Sequence, residues 1–269
     1  MNLEKEKTKM KKIVSIMLVA LTIVASLVAC TTETPATTPA TTTPATTAPA
    51  TTKVEDPKSE GVMTYAEYMA AALDTKVTIE AYVQAHQSWW NGEITVYAQD
   101  YEGGYFLYNM PCSEEDAKKL VPGTKIKVTG TKIEWEGEVE ISWDDEVTFE
   151  NNVFEIVEGK TYVAPAFDAT SLLGTEELIK HQNEFVTFKG LTVEKIEYRN
   201  GEPGDDIYLT FKLGEATYDF CVEIYLTGED SDVYKTVATL AEGDKVDVEA
   251  FLYWYKGANP HVTSITKVA

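Results

Sequence analysis

From residue 77 the chain alternates apolar and polar positions. Val77, Ile79, Ala81, Val83 and Ala85 are separated by Thr78, Glu80, Tyr82 and Gln84. A period of two over this length predicts a half-buried β-strand. Asn91-Gly92 follows, the pair best suited to a two-residue hairpin turn, in which both positions need positive φ. Beyond the turn Ile94, Val96 and Ala98 resume the alternation over 93–99, and a third short strand is expected at about 104–110. The pattern then changes. In "SEEDAKKLVPG" Ser113 is a helix cap, acids fill the first turn, and Pro122-Gly123 stops the helix. Ile126, Val128 and Gly130 open a fourth strand, and a fifth is expected over 138–149, continuing towards 156.

The same order is written a second time. "LVPGTKIKVTGTKIEWEGEVEI" (120–141) aligns with "LAEGDKVDVEAFLYWYKGANPH" (240–261): Leu120 matches Leu240, Gly123 matches Gly243, and Ile126 and Val128 match Val246 and Val248. Upstream, "TKVTIEAYV" (75–83) aligns with "NEFVTFKGL" (183–191), and each copy is led in by a short helix pattern, at 64–79 and 174–188. The second copy predicts strands near 185–197, 206–213, 217–226, 244–254 and 261–268, with a helix over 229–240. Strand-strand-strand-helix-strand-strand in about 100 residues is the order of the OB-fold. The expected fold is therefore all-β with short helices, as two tandem five-stranded OB-fold Greek-key barrels. They are expected to be separable and joined near 159–173. A single large β-sandwich is the rival, and the restart of the lead-in helix argues against it.

Element order and the "GxKxxV" run that starts the fourth strand (Gly123 to Val128, Gly243 to Val248) resemble the OB-fold domains of bacterial secreted and surface proteins, some of them described as nucleic-acid-binding. In OB-folds the outer face of strands two and three and the loop between strands one and two are the usual binding surface. If Asn91-Gly92 are the loop residues, Trp90 pairs with Glu93 and Trp89 with Ile94. Trp89 then shares the core face with Ala85, Val83, Ile94 and Val96, while Trp90 shares the outer face with His86, Tyr82 and Tyr97. The expected ligand-binding residues are Trp90, Tyr82, His86 and Tyr97, with Tyr208 on the corresponding face of the second copy. Trp135, Trp143 and Trp254 are expected to pack in cores or between domains.

The N-terminus carries a different signal. Lys5, Lys7, Lys9, Lys11 and Lys12 precede the apolar run "IVSIMLVALTIVASLV" (13–28), which is short for a membrane span of about 20 residues. It ends in "LVAC", Leu27 to Cys30, which resembles the lipobox of bacterial lipoproteins. The resemblance implies a signal peptide over 1–29, cleavage before Cys30, and a lipid on the Cys30 thiol. Residues 31–52 hold twelve Thr, five Ala, four Pro and one Glu. Such a tract has no apolar face to bury and reads as an extended stalk. The expected organisation is lipidated Cys30 and stalk over 30–60, a first OB domain over 61–158, and a second with its lead-in helix over 159–269. The folded part is expected on the extracellular face of the bacterial cell membrane, held by the lipid.

Charge narrows the ligand. The chain has 23 basic and 44 acidic residues, a formal net charge of -21, and Arg199 is its single arginine. A field of that sign repels nucleic acid, so nucleic acid is not an expected partner, and a glycan or a surface protein is. Cys112 and Cys221 fall at nearly the same place in the two copies and are expected unpaired. His86, His181 and His261 lack metal-ligand spacing, and no phosphate loop, nucleophile elbow or zinc-protease helix occurs. No catalytic residue, metal or cofactor is therefore expected. The main function reading is a non-catalytic binding module, with a nucleic-acid-binding OB protein as the alternative and a carboxylate-dependent hydrolase behind both. Nothing in the sequence sets the oligomeric state.

Overall fold

The computed structural model describes residues 56–268. The lipobox, Cys30 and the whole Thr/Pro tract of residues 31–52 lie outside the described residues. In the first half β1 (Thr75–His86), β2 (Glu93–Gln99), β3 (Gly104–Pro111), β4 (Lys125–Trp135) and β5 (Glu138–Ser142) form in the expected order. β1 pairs with β2 and β4, β2 with β3, and β4 with β5, all antiparallel, while β3 pairs with β5 in parallel. The ring β1-β2-β3-β5-β4 closes on β1. This is the five-stranded Greek-key closure of an OB barrel.

The second half repeats it strand for strand. β8 (Phe185–Tyr198), β9 (Ile207–Leu213), β10 (Ala216–Val222), β11 (Lys245–Phe251) and β12 (His261–Lys267) are connected in the same ring, with the parallel pair now between β10 and β12. Among the described residues the helices are short: α1 (Tyr65–Ala70), α2 (Glu114–Ala117), α3 (Ile224–Thr227) and α4 (Asp232–Val237). α2 sits between the third and fourth strands of its barrel, where Ser113 Oγ accepts from the Asp116 N–H at 3.1 Å. The chain is thus all-β with short helices, built as two tandem OB barrels, and the single-sandwich alternative is set aside by the two closed rings.

Three local expectations are corrected. The fifth strand stops at Ser142; the exposed carboxylates of Asp144, Asp145 and Glu146 follow, then a 3-10 turn at Phe149–Asn151. A separate short strand, β6 (Phe154–Ile156), returns to pair with β4. The lead-in to the second barrel is a 3-10 turn at Leu178–His181 rather than an α-helix, preceded by β7 (Phe167–Asp168) beside β8. β10 ends at Val222 instead of running to 226.

Each barrel has its own core. Ile79, Val83, Val96, Leu107, Ile126 and Val128 are fully buried in the first, and Phe188, Leu209, Phe211, Phe220, Val246 and Val248 in the second. A third cluster, Tyr97, Phe106 and Phe251, joins the two barrels. Around it the seam is hydrogen-bonded. Val139 N–H donates to Gln182 Oε1 at 3.1 Å, Gln182 Nε2 to the Gly137 carbonyl at 2.8 Å, and Phe185 N–H to Gln99 Oε1 at 2.9 Å. The described residues fall within one compact unit. Cys112 and Cys221 are free and buried.

Candidate binding surfaces

Tyr97 is where the outer face of β2 meets the second barrel. Its ring stacks on Phe251 of β11, with centroids 4.4 Å apart and planes 13° from parallel, and lies 4.9 Å from Phe106. Its hydroxyl shares a 2.8 Å hydrogen bond with His261 Nδ1. Tyr97 is 0 % exposed. The expectation that it faces a ligand is therefore corrected: the usual OB binding face of the first barrel is covered by the second. Burial pushes the Tyr97 phenol well up and the His261 imidazole down to about 3, so His261 is neutral across the physiological range.

Tyr82 is also enclosed, by a different route. Its hydroxyl donates to Asp56 Oδ1 at 3.0 Å, and Tyr101 and Tyr162 pack edge-on against its ring. Lys58 bridges Asp56 and Asp100, and Lys125 bridges Asp56 and Glu80. Residues 56–60, left with the stalk in the sequence reading, begin by seating on the barrel through this network. Gln84 adds the inter-barrel linker, its Oε1 accepting from the Ala164 N–H at 2.8 Å. A bulge between Val83 and Ala85 lets Ala85 pair with Tyr97 and join the seam, whereas simple alternation places it in the core. His86 is half-buried, with Nδ1 2.7 Å from the Gln87 carbonyl.

The two tryptophans separate at the turn. Asn91 and Gly92 both have positive φ, 51° and 91°, as a type I′ turn requires. Trp89 packs on the first core, and its Nε1 donates to the Cys112 carbonyl at 2.8 Å. Trp90 bridges to Glu93 and is 80 % exposed. The preceding loop is tied to the second barrel: Ser88 N–H donates to the Tyr225 carbonyl at 2.7 Å and Gln87 Nε2 to Glu223 Oε2 at 3.0 Å. Burial and the nearby Asp206 charge push the Glu223 carboxyl up to about 7.

The equivalent outer face of the second barrel is open. Tyr208 on β9 is 43 % exposed, opposite Glu197 of β8 and Cys221 of β10. Thr210 stands between Lys195 and Asp219, and Lys212 between Thr192 and Thr217. Arg199, ion-paired to Asp206 at 3.0 Å, lies close enough that its charge acts on the Tyr208 phenol. The face is an exposed aromatic ring with three cations, Lys195, Lys212 and Arg199, set among four carboxylates, Glu197, Asp205, Asp206 and Asp219; Lys195 is paired with Glu197 at 2.7 Å. Among the described residues no group of three or more His, Cys, Asp or Glu side chains is placed to hold a metal ion.

No protein-family model matches the chain, and no curated protein matches it. Among solved structures it is similar to a murine DNA-binding protein bound with double-stranded DNA, at 15 % identity and a TM-score of 0.34, over 71 % of this chain and 96 % of that one. It is similar to the Ifi202 HINa domain in complex with 20-base-pair double-stranded DNA at 12 % identity and a TM-score of 0.31, over 72 % and 98 %. The p204 HINb domain matches at 10 % identity and a TM-score of 0.31, over 70 % and 95 %. So distant a likeness carries no argument for what this chain binds. Two of these three were solved with DNA, which is a property of those proteins; the exclusion of nucleic acid from net charge alone is withdrawn. The physical reason is that net charge is a property of the whole chain and not of one face: around Tyr208 the second barrel sets Lys195, Lys212 and Arg199 among carboxylates.

The sequence reading missed the other half of the seam, Phe106, Phe251 and His261. A signal was present. Tyr97 on β2 and Phe106 and Tyr108 on β3 make that sheet apolar on its outer side as well as its inner one. Strands apolar on both faces are buried on both faces.

Proposed function

We propose that this chain is a non-catalytic OB-fold binding protein that recognises its ligand on the open outer face of the second barrel. One observation carries the reading: the second barrel covers the corresponding face of the first and leaves its own exposed around Tyr208. The ligand chemistry that suits such a face is a single nucleic-acid strand, with a base stacked on Tyr208 and phosphates near Lys195, Lys212 and Arg199. Titrating a labelled single-stranded oligonucleotide tests this. Tyr208→Ala should weaken binding roughly tenfold to a hundredfold, as loss of one stacked base at about 1–3 kcal/mol requires. With three phosphate contacts, log K should fall against log salt with a slope of about -2. Equal binding by wild type and Tyr208→Ala, or none at near-physiological salt, overturns the reading.

A second reading attaches to Trp90, favoured by its 80 % exposure on a turn whose preceding loop is hydrogen-bonded to the second barrel. A glycan ring or a protein partner would stack there, since exposed tryptophans are frequent interaction anchors. A glycan array and an envelope-extract pull-down with Trp90→Ala separate it from the first, because that variant should leave oligonucleotide binding unchanged.

The anchor belongs to the same proposal: signal peptide 1–29, lipid on Cys30, stalk to about residue 60, then barrels over 61–158 and 159–269 displayed on the extracellular face of the membrane. Support comes from the order of lysines, short apolar run and "LVAC". Cys30→Ala should accumulate uncleaved precursor and lose labelling by a fatty-acid probe; continued labelling contradicts it.

A further inference from the structure

The first barrel carries an added strand whose outer edge has no strand partner among the described residues. β6 (Phe154–Ile156) lies against β4 alone, with Ile126 opposite Ile156, Lys127 opposite Glu155, and Val128 opposite Phe154. The flanking bonds, from Val157 N–H to the Lys125 carbonyl and from Thr129 N–H to the Val153 carbonyl, are both 2.9 Å. They fix which backbone groups turn inward. In an antiparallel pair these alternate, so residues 153, 155 and 157 bond to β4. The N–H and C=O groups of Phe154 and Ile156 therefore point away from β4.

A groove of about 210 Å³ runs along this edge. Phe149, Phe154 and Ile156 supply its apolar wall, and Asn152, Glu155 and Asp116 its polar one. Phe149 is 46 % and Ile156 39 % exposed. Between residues 144 and 158 the chain has six carboxylates and no lysine or arginine. An open sheet edge beside apolar pockets is the arrangement that accepts an extended peptide as an extra strand. Within the groove Glu155 is paired with Lys127 at 3.6 Å and Asp116 with Lys119 at 2.9 Å, so it is the exposed carboxylates flanking the edge, Glu150 and Glu158 among them, that select the sign of that peptide's charge.

We propose that the β6 edge docks an extended, basic polypeptide segment of a partner protein by strand addition. This surface is distinct from the Tyr208 face and does not depend on it. Main-chain bonds to Phe154 and Ile156 give the affinity. Alternate partner side chains enter the groove against Phe149 and Ile156, and the intervening lysines or arginines face the exposed Glu150 and Glu158.

The test uses the full chain and two acetylated octapeptides, one alternating Lys and Val, the other Glu and Val. Binding is read by anisotropy of a labelled peptide, and amide exchange is read at residues 154 and 156. The Lys-Val peptide should bind, slow exchange at both amides at least tenfold, and bind at least tenfold tighter than the Glu-Val peptide. Ile156→Pro removes an outward N–H while sparing the bonds to β4, a position where an edge strand tolerates proline. It should abolish binding with the melting temperature nearly unchanged. Glu158→Lys, which leaves the backbone and the Lys127–Glu155 pair intact, should weaken binding at least tenfold and guards against a proline variant that misfolds. No binding of the Lys-Val peptide, undiminished binding by both variants, or protection confined to other strands would overturn the proposal.

Discussion

Replacing Gly104 with alanine is expected to be among the most damaging single changes in the chain. A Cβ at this position would stand 2.2 Å from the backbone carbon of Asn183, 2.3 Å from its oxygen and 2.5 Å from the Glu184 nitrogen. All three are backbone atoms of the second barrel, so no rotamer change relieves the clash, and the barrels must move apart. That movement strains the contacts clustered there: Tyr97 on Phe251, Gln182 on Val139 and Gly137, and Glu138 on Trp254. Overpacking in a closed interior costs about 1–3 kcal/mol, and a clash with backbone belongs at or above the top of that range. Urea unfolding of Gly104→Ala should show a loss of at least about 3 kcal/mol. A change within experimental error would mean that the seam is looser than described.

Glu138→Gln should act in the opposite direction. Glu138 is 0 % exposed at the seam; its Oε2 accepts from the Trp254 N–H at 2.8 Å, and Oε1 has no partner. The neighbouring Asn183 also leaves Oδ1 unpaired. Burial pushes the carboxyl well above its ordinary value of 4.5, with Glu140 adding to the push. Between that value and the raised folded one, the native state holds a proton that the unfolded chain releases. Stability therefore falls as pH rises through this window. Glu184 is raised as well, and Glu223 acts the same way between 4.5 and about 7. His261 opposes them: held down to about 3, it costs stability as pH drops below 6.5. A neutral amide at 138 keeps an acceptor for Trp254 and removes the buried charge. The variant should be more stable at pH 7 by about 1–3 kcal/mol, the cost of an unsatisfied buried polar group, and should flatten the alkaline arm of the stability curve. Lower stability at pH 7, or an unchanged pH profile, would contradict the assignment.

Barrel topology was legible because period-two alternation, the Asn-Gly turn and the internal repeat all pointed to one strand order. The two barrels share that order down to the parallel closing pair. What the alternation could not carry was the bulge between Val83 and Ala85, which moves Ala85 to the outer face, or the break after Ser142 that frees β6. The candidate site was half legible. An aromatic on an outer face reads the same whether it awaits a ligand or a neighbouring domain. Tyr97 and Trp90 share parity, yet one is sealed under Phe251 and the other stands in solvent. Tyr82 is closed over by residues 56–58 and 162, none of them close to it in sequence. Net charge misled for a related reason: it sums over all faces, whereas recognition uses one.

Chemical-shift mapping of the isotope-labelled chain with a single-stranded oligonucleotide tests most directly whether recognition has passed to the second barrel. Perturbed amides should cluster at Lys195, Arg199, Tyr208, Thr210 and Lys212, while those of Tyr97 and Phe106 stay fixed beneath the seam. Shifts confined to the first barrel, or no shift at near-physiological salt, would contradict it.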